Sequence, residues 1–167
     1  MLRYTLALIQ YKGKILMINR EKNPWQGAWN GVGGKLEPTE TPEQCVIREI
    51  REETGLQVTH PLYRGIVTWN ADSEKLEGMY LFVVRAVDAA ALHTPLRTRE
   101  GILEWKTEQW ILSKDNFGTV PSLFSFMRDA LDIDHCQPKN YHCVFNGNQL
   151  VHTEIRPVPQ SIKNREL

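Results

Sequence analysis

The sequence has 167 residues, enough for one domain with a substantial hydrophobic core. Its 20 basic and 20 acidic residues balance, so no overall charge favours nucleic acid or an anionic membrane as a partner. The longest apolar runs are strand-sized, and the first residues alternate like a strand instead of forming a signal peptide. Three cysteines at no disulfide-framework spacing are typical of a reducing compartment. We therefore expect a soluble, cytoplasmic, single-domain protein.

Two apolar strands are predicted at the start of the chain, at residues 2–10 and 14–20. Gly13 suits the hairpin turn between them. A glycine-rich loop follows at residues 22–35 and carries two tryptophans. Three glycines in NGVGGK let the backbone approach a phosphate or a metal closely, although glycines also form ordinary turns.

A helix with clear end signals comes next. Thr41 is a good N-cap, Pro42 fits the first helical position, and Gln44 completes a capping box. The helix is predicted to run to about Thr54, where Gly55 supplies the left-handed residue that ends it.

The remaining elements alternate between strands and helices. Residues 121–132 have helical spacing, with Leu123, Phe124, Met127 and Leu131 predicted to face the core. A mixed sheet covered by helices is the predicted α/β architecture, with a domain over residues 1–158 and a polar, frayed tail over 159–167. The other predicted elements are strands at 62–69 and 78–87, a loop at 90–101, a strand leading into a helical turn at 102–110, and a C-terminal hairpin of 141–146 and 149–156 around Asn-Gly.

The helix collects three carboxylates on one face. At about 100° per residue, Glu49, Glu52 and Glu53 share a face roughly 100° wide. One interpretation is a solvated surface relieved by Arg48, which lies four residues before Glu52. The other is a site for a divalent cation, since Mg²⁺ takes carboxylate oxygens together with water and substrate phosphates.

The whole segment from Gly34 to Leu56 decides between these interpretations. It resembles the Nudix box, GX5EX7REUXEEXGU with U a bulky aliphatic residue, at each of nine specified positions. The box covers 23 residues, and the flanking strands are compatible with the Nudix α/β/α sandwich over most of the chain. The chain is thus similar to Nudix hydrolases, with MutT-type triphosphatases among them.

The resemblance implies a function for each matched residue. Nudix enzymes hydrolyse a nucleoside diphosphate linked to another group with Mg²⁺ or Mn²⁺ and water. By resemblance, Glu49, Glu52 and Glu53 hold the metal together with the Gly34 carbonyl, and one carboxylate accepts the proton of water. The remaining box positions, Arg48, Glu40 and Gly55, support the geometry of the loop and helix, and Arg48 orients a carboxylate.

Family members often supply a further acid from outside the box. Glu100 is favoured here because its spacing to Trp105 is similar to that in the corresponding loop of MutT-type enzymes, although MutT itself has one residue more in this interval. Glu104 is the alternative, but its position in a predicted strand favours a structural role.

The substrate is predicted from the residues before the box. The stretches RYTLALIQ and GAWNGVGGKL are similar to enzymes that remove oxidised purine nucleoside triphosphates, in which the asparagine of WNG bonds the purine; this is Asn30 here. Trp25 and Trp29 are candidate walls for a stacked base, although packing is the alternative role, and the favoured one for Trp29. Those enzymes bind the purine edge with a Trp-Pro-Asp-Asp stretch before the last helix. At that place this chain has NFGTVPS, which contains no acid pair. Phe117 is the candidate replacement for the tryptophan.

Two cations, Arg20 and Lys35, are candidate phosphate partners or surface charges. The His-Cys pairs at 135–136 and 142–143 are separated by Pro138 and a predicted strand, which argues against zinc. We expect a small nucleotide as partner, no nucleic acid and no membrane; Nudix proteins are often homodimers, but no interface is evident.

Two other functions compete with triphosphate hydrolysis. ADP-ribose or dinucleoside polyphosphate hydrolysis ranks lower, because residues 70–74 lack the proline that ADP-ribose members often carry about fifteen residues after the box. A non-catalytic nucleotide sensor usually loses box carboxylates and gains a DNA-binding segment, whereas this box is intact.

Overall fold

A computed structural model of the chain describes residues 2–70, 77–86, 88–132, 134 and 137–163. None of the helices in these ranges is long and apolar enough to cross a bilayer. The strands are β1 (Tyr4–Tyr11), β2 (Lys14–Arg20), β3 (Trp29–Asn30), β4 (Leu62–Trp69), β5 (Glu77–Arg85), β6 (Leu96–Arg97), β7 (Gly101–Thr107), β8 (Lys139–Asn146) and β9 (Gln149–Pro157). The helices are α1 (Pro42–Thr54), α2 (Glu108–Ile111), α3 (Leu123–Leu131) and α4 (Gln160–Lys163).

One mixed sheet organises the described part of the chain. Its strand order is β6-β7-β2-β1-β5-β4-β8-β9, and β3 pairs with β2 beside this path. The pairs β1–β5 and β4–β8 are parallel, whereas the hairpins β1–β2 and β8–β9 are antiparallel. The predicted mixed sheet and C-terminal hairpin are confirmed.

Both faces of the sheet are covered, so the core has two halves. Helix α1 buries Val46 and Ile50 against one face, in contact with Ala7 and Ile18 of the sheet. Helix α3 covers the opposite face, where Leu123, Phe126 and Met127 pack with Leu8 and Tyr141 in the second cluster. This three-layer arrangement is the predicted α/β/α sandwich.

The ends of α1 follow the sequence signals closely. The Thr41 hydroxyl accepts a hydrogen bond from the Gln44 amide, and the Gln44 side chain accepts one from the Thr41 amide. Gly55 ends the helix with φ of 75°, which a residue with a Cβ rarely adopts. The predicted helix from Pro42 to Thr54 is confirmed, and with it the position of its three carboxylates.

Two details of the prediction are wrong. Phe124 is 45% exposed, because the buried face of α3 runs through Leu123, Phe126, Met127 and Ala130. The chain after Pro157 is not simply frayed: it forms α4, and Ile162 packs into the core beside Val158. The proposed domain boundary at residue 158 stays a prediction.

Candidate active site

A cleft of about 1210 Å³ opens at one end of the sheet. It is bounded by α1, by the start of β1, by the ends of β2, β4 and β8, and by the loop around residues 97–100. The predicted site residues that line it are Arg20, Asn30, Gly34, Lys35, Glu49, Glu52, Glu53 and Glu100. Thus the fold brings residues from four separate segments to one cavity.

Arg48 braces the acidic face of α1 without lining the cleft. Its guanidinium donates to both oxygens of Glu40, at 2.6 and 2.9 Å, and to the Lys35 carbonyl at 3.1 Å. It also donates to Glu49 at 2.9 Å and to Glu52 at 3.2 Å. Bonds from one planar group to so many acceptors hold the loop after Gly34 and the first two carboxylates in a defined arrangement.

Glu53 differs from its neighbours because it is mostly buried and poorly paired. Its Oε2 atom has no hydrogen-bond partner among the described residues. Burial, followed by the negative charges of Glu49 and Glu100, raises the pKa of Glu53 to about 8. Burial also raises the pKa of Glu49, although the bond from Arg48 opposes the shift. A buried carboxylate with an unused oxygen requires a positive partner to remain charged.

Two glycines allow the loop to pass close to the Glu49 carboxylate on one side and to β1 on the other. A Cβ atom on Gly34 would lie 2.2 Å from the Cδ and Oε1 atoms of Glu49. A Cβ on Gly33 would lie 2.2 Å from the Thr5 carbonyl oxygen. The Gly34 carbonyl accepts a hydrogen bond from the Thr5 amide at 2.9 Å, which leaves its second lone pair for another partner.

The donor set fits a hard divalent cation. Within the described ranges, no three His, Cys, Asp or Glu side chains already form a closed metal cluster; Glu49 and Glu52 both turn toward Arg48. The unpaired Glu53 oxygen and the close approach of Gly34 to Glu49 nevertheless leave carboxylate and carbonyl oxygens facing one cleft. Mg²⁺ and Mn²⁺ prefer such oxygen ligands and retain water molecules as well.

The two candidate loop acids lie in different places. Glu100 lines the cleft, bonds Lys22 at 2.8 Å and contributes to the raised pKa of Glu53. Glu104 lies within β7, bonds Lys106 at 2.8 Å and lines a separate groove. Glu100 is therefore the loop acid that lies close enough to act with the carboxylates of α1, whereas β7 holds Glu104 in a different groove. The sequence also favoured Glu100.

Cations surround the acidic end of the cleft. Arg20 donates to the Pro24 carbonyl through Nε at 2.8 Å, which orients its side chain, and its charge acts on Glu53. Lys35 lines the cleft beside it. Arg97 and Arg99 also line the cleft but were not singled out from the sequence, because only the folded loop brings them here.

An aromatic wall forms the other end of the cleft. Trp25 lies against Phe145 with ring centroids 5.9 Å apart, and both line the cavity. Asn30 lies nearby in β3, and its side-chain oxygen accepts a bond from the Gly31 amide at 2.9 Å. This end combines apolar rings with a polar side chain, as base-binding sites do.

Two aromatic candidates do not line the cleft. Trp29 packs edge-on against Trp110 and lies under the Lys106 ammonium, so its role is packing. Phe117 is 93% exposed and lies outside the cleft; Val120 and Ser122 of the same segment line it instead. Packing, the role that the sequence favoured for Trp29, is what the structure shows; the alternative that Trp29 forms a wall for the base, and the suggestion for Phe117, are corrected.

Several lining residues were missed because no local signal marks them. Trp69 and Met79 come from the ends of β4 and β5, and Phe145 from the end of β8. Asn70 fixes Phe145 by exchanging two hydrogen bonds with its backbone, at 2.9 and 2.7 Å.

Cys45 and Cys143 are free and buried, whereas His135 and Cys136 lie outside the described residues.

A comparison with protein families places this cleft in a known context. The NUDIX domain model matches residues 2–129. The crystal structure of a mutator MutT protein from Bacillus halodurans superimposes with a TM-score of 0.70 at 25% identity. That match covers 94% of this chain and 99% of the other.

Curated relatives match shorter segments. The chain is 42% identical over 60 residues to the CTP pyrophosphohydrolase of Escherichia coli strain K12, covering 35% of this chain and 44% of the relative. It is 43% identical over 54 residues to the oxidized purine nucleoside triphosphate hydrolase of Danio rerio, covering 32% and 35%. The chain thus spans less than half of either relative, and their names differ in the base.

Proposed function

The chain belongs to the Nudix family of pyrophosphohydrolases, enzymes for nucleoside diphosphate-linked substrates, and from this premise we propose that it hydrolyses a nucleoside triphosphate to the monophosphate and pyrophosphate. The family generally uses a divalent metal ion. An oxidised purine triphosphate is the first candidate substrate, on the basis of Asn30 and the match to the Danio rerio relative.

One observation carries the proposal. Glu53 is mostly buried, and its Oε2 atom has no hydrogen-bond partner among the described residues. Glu49 and Glu100 line the same cleft, and their negative charges act on Glu53. Mutual repulsion and burial make the ionised form of Glu53 unfavourable unless a positive charge joins it. A salt-bridged surface would instead leave each carboxylate solvated or paired, which describes Glu52 but not Glu53.

The residues then divide the work. Glu49, Glu52, Glu53 and the Gly34 carbonyl would hold Mg²⁺ or Mn²⁺. Such a cation, once bound, neutralises diphosphate charge, polarises the phosphorus centre and acidifies water. Arg48 restrains Glu49 and Glu52 through the hydrogen bonds that it donates to both carboxylates.

The reaction needs a base and a grip on the phosphates. One carboxylate of the set accepts the proton of the attacking water, and Glu53 is the member whose Oε2 is not spent on a hydrogen bond. Water attacks phosphorus, the phosphoanhydride bond breaks, and pyrophosphate leaves with the bond electrons. Arg20 and Lys35 bind phosphate oxygens through charge-assisted hydrogen bonds.

Replacing Glu53 with Gln tests the assignment. We expect kcat to fall about 100-fold to 10,000-fold, because the amide can neither carry the charge nor accept the proton. Release of pyrophosphate and monophosphate, followed by chromatography, is the measurement. Glu43→Gln is the matched control, since it removes a carboxylate from the first turn of the same helix, outside the cleft. Full activity in a folded Glu53→Gln protein would refute the role of the acidic face.

A second pair of variants separates the loop acids. Glu100→Gln lowers kcat, because Glu100 shares the cleft with Glu53, whereas Glu104→Gln leaves it unchanged. The reverse order would transfer the role to Glu104.

A substrate screen decides between the remaining activities. It compares ordinary and 8-oxo nucleoside triphosphates with ADP-ribose and a dinucleoside polyphosphate, with Mg²⁺ present throughout. Preference for a triphosphate with pyrophosphate release supports the proposal. Preference for ADP-ribose replaces it with the alternative pyrophosphatase, and binding of nucleotide without any turnover favours the sensor.

A further inference from the structure

The hairpin of β6 and β7 carries a charged two-residue tip that lines the cleft. The two strands pair antiparallel, and the Thr98 amide donates to the Gly101 carbonyl at 2.8 Å. The Thr98 hydroxyl accepts a hydrogen bond from the Glu100 amide at 3.2 Å, which fixes the turn further. Arg99 and Glu100 therefore form the tip, and both line the cleft.

Three contacts anchor this tip to the segment that follows β2. The Glu21 amide donates to the Glu100 carbonyl at 2.9 Å. The Lys22 ammonium bonds the Glu100 carboxylate at 2.8 Å, and Arg97, at the end of β6, bonds the Glu21 carboxylate at 2.6 Å. The backbone that carries Arg99 thus has a defined position at the edge of the cleft.

The same contacts divide the charges of the hairpin into paired and unpaired ones. Arg97 and Glu100 are each bonded to a residue of opposite charge. The exposed side chain of Arg99 forms no ion pair or hydrogen bond with another described residue. All of its N–H donors therefore remain available, in a planar arrangement that matches phosphate oxygens.

The tip belongs to the acidic end of the cleft. The negative charge of Glu100 contributes to the raised pKa of Glu53, so the tip lies beside the carboxylates of α1. Consecutive Cα atoms are about 3.8 Å apart, which places Arg99 at the same end. Trp25 and Phe145 form the other end. A nucleotide whose base lies between those rings directs its phosphate chain toward the tip, with the terminal phosphate farthest from the base.

We propose that the Arg99 guanidinium binds the terminal phosphate of the nucleotide and makes the protein prefer triphosphates to diphosphates. The inference rests on the proposed triphosphate hydrolysis and deepens it by naming a residue that selects the length of the phosphate chain. The charge of Arg20 acts on Glu53, which assigns Arg20 to the reacting phosphate instead. Arg99 donates charge-assisted hydrogen bonds to a group that a diphosphate lacks.

Kinetics of Arg99→Gln with two nucleotides test the proposal. We expect kcat/KM for the preferred triphosphate to fall about tenfold to 100-fold, because hydrogen bonds between charged groups are lost. The corresponding nucleoside diphosphate is measured as a competitive inhibitor. Its inhibition constant stays within about twofold, because the lost donors bind a group that the diphosphate lacks. General damage to the cleft would weaken both nucleotides. Arg85→Gln is the matched control, since Arg85 is also exposed but lies outside the cleft.

Each result has a distinct meaning. If the wild-type protein releases pyrophosphate but folded Arg99→Gln keeps its kcat/KM for the triphosphate, the inference is overturned and the proposed function stands. An equal loss for triphosphate and diphosphate overturns it as well, because Arg99 then acts on phosphates that both share. An equal loss in Arg85→Gln would show a general effect of positive charge and also overturn it. If the wild-type protein hydrolyses no triphosphate, the proposed function fails first and takes this inference with it.

Discussion

The two ends of the cleft are built in different ways. The acidic end comes mainly from the continuous segment Gly34–Glu53, in which Arg48 connects loop, helix and carboxylates. The aromatic end is assembled from distant segments that contribute Trp25, Ser122 and Phe145, among others. The first places charge where we propose that a cation binds, and the second places apolar surface and neutral polar groups where we propose that the base binds.

This difference indicates how the site divides its tasks. A contiguous, braced segment keeps reactive groups in a constant geometry, since few long-range contacts can disturb it. Walls supplied by separate strands and loops can change independently of the helix, so the recognised base can differ between relatives with the same box.

The largest effect on stability is expected from replacing Arg48, which bonds the loop and the carboxylates of the acidic end. Arg48→Gln leaves Glu40 and Glu49, whose side chains are 13% and 15% exposed, without their cation. We expect the free energy of unfolding to fall by about 3–5 kcal/mol, as for other broken buried pairs. Urea denaturation measures the loss, with Arg51→Gln on the same helix as the exposed control. Equal stability of both variants would show that Arg48 braces nothing.

The pH dependence of stability without metal ions tests the burial of Glu53. In the folded protein, Glu53 keeps its proton up to its pKa of about 8, whereas in the unfolded chain it releases the proton near 4.5. Between these values the folded state binds more protons, so the free energy of unfolding falls as pH rises, by at most about 1.4 kcal/mol per pH unit. Denaturation with EDTA at pH 5 to 8 tests this. Glu53→Gln flattens the slope; parallel curves for both proteins would contradict the shift.

The close approach of loop and helix is the next point to disturb. Gly34→Ala puts a methyl group 2.2 Å from the Glu49 carboxyl, whose flexible end can turn aside. We expect a stability loss of only about 1 kcal/mol, together with lower activity because Glu49 leaves its position. Gly118→Ala is the control, as its nearest contact would be 3.3 Å. Wild-type activity in Gly34→Ala would mean that Glu49 need not stay there.

The smallest effect is expected at the aromatic end. Phe145→Leu keeps an apolar wall but loses the ring that faces Trp25. We expect KM to rise about twofold to tenfold without a change in kcat, the loss of an aromatic contact being worth about 0.5–1.5 kcal/mol. Steady-state kinetics with the preferred triphosphate measure it, and exposed Phe117→Leu is the control. A fall in kcat would contradict this prediction and show that the aromatic end also affects the chemistry at the acidic end.

Much of the acidic end could be predicted because its information is local. Capping residues, helical periodicity and the spacing from Gly34 to Leu56 lie within a short window, and the helix forms where they indicate. The hairpins at both ends follow from the same kind of signal. The side chain of Trp29 was harder to place, since its contacts with Trp110 and Lys106 come from remote strands and turns.

By itself, the sequence determined the helix, its caps and the alignment of three carboxylates on one face, because backbone hydrogen bonding and a period of 3.6 residues suffice for that. Only the tertiary structure decided that the Oε2 atom of Glu53 is buried without a hydrogen-bond partner, that Glu100 reaches the same cavity, and that Ser122 instead of Phe117 faces it. These outcomes depend on which distant segments the sheet brings together, and burial and electrostatic coupling exist only once those segments are packed.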